Sequence, residues 1–227
     1  MTIIPLEKRL RKSLHKKIAA AQDLLVESIY RVFPKVVIHG GTAIWRCYGG
    51  KRFSEDVDVY ITKDMDKESN FQELLNLLKS LGFSVIKFKH TGNSIFSKFS
   101  LMGTEVRFEA VFKTVSNSMV KPFELSDGTF MNVYTLSAED ILAEKISVYK
   151  DRGKVKDMYD IWFLLNLVED RKKVLKNFKS LKDAESFLRK PDDYKTLKAL
   201  IILGAVPSVE DMIGGIRSWV KKNIKAT

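Results

Sequence analysis

The sequence predicts an α+β fold: a β-sheet core flanked by helices, followed by a helical C-terminal half. Three observations carry it. Between residues 36 and 134, short apolar or alternating runs recur between turn signals, the pattern of strands. Residues 7–32, 70–81 and most of the chain after 138 space their apolar residues by three and four, the pattern of helices packed on one face. The change from one pattern to the other falls near Tyr134. Residues 1–134 are therefore read as the core with a basic N-terminal helix, and residues 135–227 as a helical domain.

Glu7 to Val32 reads as one helix, with Leu10, Leu14, Ile18, Ala21, Leu25 and Ile29 on its apolar face, and Pro34 ends it. Val36-Val37-Ile38 is a short buried strand, followed by a Gly40-Gly41 turn. Thr42 is placed as the N-cap of a helix over Ala43–Tyr48, which Gly49-Gly50 terminate. After a polar loop, Asp56 to Ile61 alternates, so Val57 and Val59 point one way and Asp56 and Asp58 the other. Asn70 to Leu81 is helical, and Phe83 to Lys89 alternates as a strand. Ile95–Leu101 and Glu105–Phe112 form a hairpin around Met102-Gly103-Thr104, with Glu105, Arg107 and Glu109 sharing a face. Residues 116–128 read as irregular, and Phe130–Tyr134 as a last short strand. Ser137 to Asp140 is a capping box by type and opens a helix to about Tyr149. Asp151-Arg152-Gly153 is a turn, and Val155–Val168 the next helix. Further helices are expected over Arg171–Phe178, Leu181–Arg189, Tyr194–Leu203 and Val209–Lys222.

With 227 residues, 45% hydrophobic and 30% charged, the chain is ordinary for a globular protein and large enough to bury a core. Its formal charge of +11 is uneven. Residues 1–35 hold 8 Lys and Arg against 3 acids, residues 36–133 hold 12 against 11, and residues 134–227 hold 19 against 14. The excess lies in the flanks, where it suits either a polyanionic partner or solvated helix surfaces. Cys47 is the single cysteine, which excludes an intrachain disulfide, and its apolar surroundings fit a buried thiol. No secretory signal is visible, and the longest apolar run, Ala199 to Val206, is far too short for a membrane span. A cytoplasmic protein with no membrane partner is expected.

The chemistry concentrates in Val36 to Ile61. Asp56 and Asp58 on one face of a strand repel unless a cation sits between them. A third carboxylate is expected from a neighbouring strand, with Glu109 preferred over Glu105, which shares its parity but lies at the strand's edge. Three oxygen ligands suit Mg²⁺ or Mn²⁺. The backbone N–H groups of Gly40, Gly41 and Thr42 offer a cradle for the β and γ phosphates of a nucleoside triphosphate. Arg52 or Lys145 would balance the phosphate charge. The reaction class such a set serves is attack of a hydroxyl on the α-phosphate with release of pyrophosphate. Each part alone is common: paired acids on an exposed strand, a glycine turn, and Asp157 and Asp160 as helix-surface acids. The glycine turn with Thr42, thirteen residues (Ala43 to Glu55) before Asp56, is not common, whereas composition alone does not lift Asp157 and Asp160 above surface acids. No zinc-type Cys/His spacing, Ser-His-Asp set or P-loop pattern occurs, and Trp45, Trp162 and Trp219 sit at core spacing.

Gly40-Gly41-Thr42, followed by Arg52-x-Ser54-x-Asp56-x-Asp58, resembles the first motif of the AbiEii/AbiGii-type toxin nucleotidyltransferases, a branch of the DNA polymerase β-like superfamily. Glu144-Lys145 resembles that family's lysine motif, and Lys156-Asp157-x-Tyr159-Asp160 its closing motif. The resemblance implies a nucleotidyltransferase-fold mixed sheet of five or six strands. It implies Mg²⁺ on Asp56 and Asp58, with Lys145 and Asp157 completing the nucleotide site and Asp160 supporting it. Gly41 and Thr42 would then hold phosphate, with Arg52 and Ser54 nearby. It further implies that some members are toxins paired with an antitoxin, and that some extend the 3′ end of tRNA. Two other readings stay open: a non-catalytic nucleotide- or RNA-binding protein on the same fold, and a transferase acting on protein or a small molecule.

Overall fold

The computed structural model describes residues 4–63, 67–178 and 188–224. They divide into two compact units, Met1–Gly49 with Phe53–Leu136, and Gly50–Arg52 with Ser137–Thr227.

The first unit is a seven-stranded mixed sheet with helices. Its strands are β1 (Val37–His39), β2 (Asp56–Ile61), β3 (Phe83–His90), β4 (Ser94–Leu101), β5 (Thr104–Phe112), β6 (Met119–Glu124) and β7 (Phe130–Thr135), in the order β3-β4-β5-β2-β1-β7-β6. β2 runs parallel to β5 and antiparallel to β1, and β1 runs parallel to β7. On one face of the central strands, Val57, Val59, Val106, Phe108 and Ala110 are at most 1% exposed. Helices α2 (Ser13–Val32) and α4 (Lys67–Ser80) join this core, with Phe71 of α4 meeting Phe33 and Phe112.

Four local readings change. The single helix expected over 7–32 is two, α1 (Leu6–Arg9) and α2, because Leu10 is extended at φ −81° and ψ 119°. The break lets Leu6 and Leu10 both bury while Glu7 N–H bonds to Ser126 O at 2.9 Å. The region 116–128 is not irregular throughout, since it contains β6. That strand carries Pro122 and buries only Phe123, which hides the alternation, and as an edge strand it tolerates proline. Helix α3 (Gly40–Cys47) begins at Gly40 with His39 as its N-cap, so Thr42 lies inside the helix and caps nothing. The β4–β5 turn is the two residues Met102 and Gly103, both at positive φ, which tightens the hairpin by one residue.

The second unit is helical: α5 (Ala138–Arg152), α6 (Val155–Leu164), α7 (Arg171–Phe178), α8 (Leu197–Leu200) and α9 (Val209–Ile224). Ser137 caps α5 by accepting from Asp140 N–H at 3.2 Å, as the capping box requires. α5 runs through Asp151 and Arg152, and Gly153 at φ 61° ends it where a turn was expected. α6 stops at Leu164 and a 3₁₀ turn follows to Leu167. Tyr194 to Leu200 is a 3₁₀ turn and then the short α8. Most of the helix expected over Leu181–Arg189 falls outside the described residues.

Candidate active site

In the first unit, parity and register assemble the carboxylates. Asp56 and Asp58 lie on one face of β2, opposite the buried valines. Across the parallel β2–β5 pair, Asp58 stands beside Glu109 and Asp56 beside Arg107. Across β1–β2, Asp58 stands beside His39, whose ring stacks on Tyr60 at 3.8 Å between centroids. Glu105 lies beyond the paired stretch of β2 and bonds to Lys98 at 2.6 Å on the surface. Glu109 is therefore the carboxylate next to Asp58, and Glu105 is not.

Gly40 is needed for a steric reason. It sits at φ 69°, and a Cβ there would meet Asp58 Oδ2 at 2.3 Å. The start of α3 is thus pressed against the Asp58 carboxylate, and Gly40, Gly41 and Thr42 are all buried. The Thr42 hydroxyl donates to the backbone oxygen of Asp56, tying α3 to the first residue of β2. Ser54 is 7% exposed, and its carbonyl accepts from Gln22 Nε2 at 2.9 Å.

Charge at these strands is acid-rich. Burial and the charges of Asp58 and Asp56 raise the Glu109 carboxyl above its ordinary value, against an opposing influence from His39. Asp56 Oδ1 is buried without a hydrogen bond. Its compensation is the ion pair with Arg107 Nε at 2.6 Å, and Arg107 also bonds to Glu55 at 2.9 Å. Among the described residues, no three or more His, Cys, Asp and Glu side chains converge as a ready metal cluster. The donors nevertheless fit a hard divalent cation. They are all carboxylate oxygens on one face of two adjacent strands, and burial with the charges of Asp58 and Asp56 raises the Glu109 carboxyl, as a cation placed among them would reverse.

The second unit holds a separate buried ion network. Arg52 forks onto Asp160, with Nε to Oδ1 at 2.8 Å and Nη2 to Oδ2 at 2.7 Å. Lys145 Nζ reaches Asp160 at 2.8 Å and Asp157 at 3.6 Å. Arg152 forks onto Asp157 at 2.7 and 2.9 Å. Asp157 and Asp160 are both fully buried, which overturns the reading of them as helix-surface acids. Burial alone raises the Asp160 carboxyl, but Arg52 and Lys145 outweigh it and hold the group below its ordinary value. Arg52 is 6% exposed and committed to Asp160.

Two residues beside the carboxylates had no assigned role in the sequence reading, His39 and Arg107. His39 has no local signal. Arg107 had one, an arginine between two glutamates at strand parity.

A family model described as the nucleotidyl transferase AbiEii toxin of type IV toxin–antitoxin systems matches residues 23–201. The chain belongs to this family. The AbiEii match spans both units and every motif residue from Gly40 to Asp160. No protein with a curated description matches the chain. Among solved structures, MenT4, a nucleotidyltransferase toxin from Mycobacterium tuberculosis H37Rv, aligns at TM-score 0.67 and 16% identity over 92% of this chain and 83% of that one. JHP933 from Helicobacter pylori aligns at TM-score 0.61 and 19% identity over 92% of each chain. A putative nucleotidyltransferase from H. pylori aligns at TM-score 0.61 and 20% identity over 92% of this chain and 97% of that one. At these identities the likeness is one of fold, and it establishes the nucleotidyltransferase fold for this AbiEii-family chain. Among the described residues, no helix is long and apolar enough to cross a membrane. Burial pushes the Cys47 thiol up to about 12, so it is no nucleophile at neutral pH.

Proposed function

We propose that this AbiEii-family protein is a divalent-cation-dependent nucleotidyltransferase, acting as the toxin of a toxin–antitoxin pair. The observation that carries the reading is the placing of Asp58 beside Glu109 on adjacent parallel strands, with Asp56 two residues before Asp58 on the same face. An acceptor hydroxyl oxygen bonds to the α-phosphorus of a nucleoside triphosphate, its proton passes to solvent, the bond to the β-phosphate oxygen breaks, and pyrophosphate leaves. Asp56, Asp58 and Glu109 would hold Mg²⁺ or Mn²⁺, and the cation would supply charge neutralisation for the triphosphate and acidification of the attacking hydroxyl.

The chain's own residues orient the reactants. Gly40 and Gly41 open α3 and bring backbone N–H groups beside Asp58, the place for phosphate oxygens. Thr42 and Ser54 act from behind, Thr42 by fixing α3 to β2 and Ser54 through its backbone. Lys145 is assigned to the triphosphate and Asp157 to its orientation, on the strength of the family motifs. The ion network supports this, because Asp160 and Asp157 hold the Lys145 ammonium in one charged position. Arg52 and Asp160 serve as its scaffold. The basic flanks suit an RNA acceptor such as the tRNA 3′ end.

Incubation with tRNA and each labelled nucleoside triphosphate in Mg²⁺ tests the reading. Wild type transfers label, and Asp58→Asn loses transfer by at least two orders of magnitude with its melting temperature kept or raised. Equal labelling by Asp58→Asn removes Asp58 from the site, and salt-sensitive RNA binding indifferent to Asp58 with no transfer removes the enzymatic reading.

A further inference from the structure

Arg107 holds one of the carboxylates assigned to the proposed cation. It is the register partner of Asp56 and lies two residues from Glu109 on the same face of β5. Its guanidinium holds Asp56 at 2.6 Å and Glu55 at 2.9 Å. The hold is weak by construction. The Arg107 side chain is 44% exposed and that of Asp56 31%, so the pair is solvent-screened. The contrast is with Arg46 and Arg52, both nearly fully buried and fixed by carboxylates or carbonyls. Arg107 also borders an open cavity of about 690 Å³, lined among others by Ile86, Phe96, Lys98 and Glu105, which leaves the long side chain room to move.

We infer that Arg107 is a resident counter-ion that competes with the divalent cation for Asp56, so that metal binding displaces the guanidinium and completes the ligand set. This rests on the cation reading of Asp56, Asp58 and Glu109. Without metal, Glu55, Asp56, Asp58 and Glu109 crowd one end of β2 and β5, and Arg107 relieves that repulsion. With metal, the same positive charge opposes the incoming ion. Arg107 thereby sets the cation concentration at which the site loads, and it acts as a positioning residue for Asp56.

The experiment titrates Mn²⁺ into the full-length protein without nucleotide and follows the free-ion electron paramagnetic resonance signal. Arg107→Gln removes the charge and binds Mn²⁺ about fivefold more tightly than wild type, the upper end for an exposed pair. Arg107→Lys keeps the charge without the fork and falls between them. The gap between wild type and Arg107→Gln narrows as NaCl rises, because the pair is screened. Equal or weaker Mn²⁺ binding by Arg107→Gln overturns the inference. If that variant does not fold, Arg107→Lys decides alone by the same criterion. Asp58→Asn separates the two levels. When it abolishes Mn²⁺ binding and Arg107→Gln changes nothing, only the competition fails. When no variant and not the wild type binds Mn²⁺, the cation reading falls and the competition with it.

Discussion

Replacing Asp160 by Asn tests whether the ion network of the second unit is structural. Asp160 is fully buried and accepts two bonds from Arg52 and one from Lys145. Asn keeps the volume and removes the charge. Arg52, 6% exposed, and Lys145, 8% exposed, then lose their shared counter-charge. Breaking one partner out of a buried ion pair costs about 3–5 kcal/mol. With a urea dependence of about 2 kcal/mol/M, the unfolding midpoint falls by about 1.5–2.5 M. Urea titration followed by circular dichroism at 222 nm reads this unit well, since it is helical. The pH dependence has a definite sign. The Asp160 carboxyl is held below its ordinary 3.8, so its contribution is complete above that value and is lost as pH falls through the lower, folded-state value. The gap between wild type and variant is therefore constant near neutrality and closes only in strong acid. Arg52→Met added to Asp160→Asn costs less than the sum of the two single changes, because the second removes a charge the first has stranded. A midpoint shift under about 0.5 M, or strict additivity, refutes the structural role.

Two further outcomes concern the carboxylate strands. Gly40→Ala places a Cβ 2.3 Å from Asp58 Oδ2 at φ 69°, whereas Gly49→Ala meets φ 68° with nothing within 4 Å. Both lose about 1–2 kcal/mol to the left-handed backbone, but only Gly40→Ala also loses Mn²⁺ binding and transfer. Glu109→Gln raises the melting temperature of the metal-free protein at pH 7. The Glu109 carboxyl sits above its ordinary 4.5, so the folded state binds the proton more tightly than the unfolded chain and stability falls as pH rises through that window. The advantage disappears below the ordinary value, and Mg²⁺ stabilises wild type but not the variant. A destabilised Glu109→Gln at pH 7 without metal contradicts the repulsion.

What the sequence made legible was periodicity, and what it hid was pairing. Asp-Val-Asp-Val put the two acids on one face whatever β2 pairs with, and Glu-Val-Arg-Phe-Glu did the same for Glu109. That β2 and β5 are parallel neighbours with Asp58 beside Glu109 depends on contacts fifty residues apart, which no local pattern encodes. One edge strand was the weak point for a related reason. β3 was read from its alternation, but β6 carries Pro122 and buries only Phe123, so its own alternation is lost. Thr42 fitted the N-cap preference, yet the Gly40–Asp58 contact starts the helix earlier and turns its hydroxyl to β2. Tertiary contact overrode local propensity there.

Burial was the other hidden variable, and it changes what the closing motif means. Asp157 and Asp160, three apart on a helix, look alike from sequence whether they face water or a core. Fully buried, each must be matched, and three cations from two segments supply the match: Arg52 from the loop before β2, and Lys145 and Arg152 from α5. The motif residues therefore split into two physical kinds. Asp56, Asp58 and Glu109 are like charges gathered on two adjacent strands, and that repulsion together with burial raises the Glu109 carboxyl, the arrangement the proposed external cation would relieve. Asp157, Asp160 and Arg52 are satisfied internally, which is how a scaffold is built. Lys145 belongs to both kinds. Two carboxylates fix its position, while its side chain, 10% exposed, is not fully enclosed. Lys145→Met consequently weakens nucleotide binding and also strands the negative charge of Asp157 and Asp160. Lys145→Arg keeps the charge, and with it most of the stability, but not the ammonium geometry. Loss of transfer in Lys145→Arg at nearly unchanged stability separates a role toward substrate from a role in the scaffold.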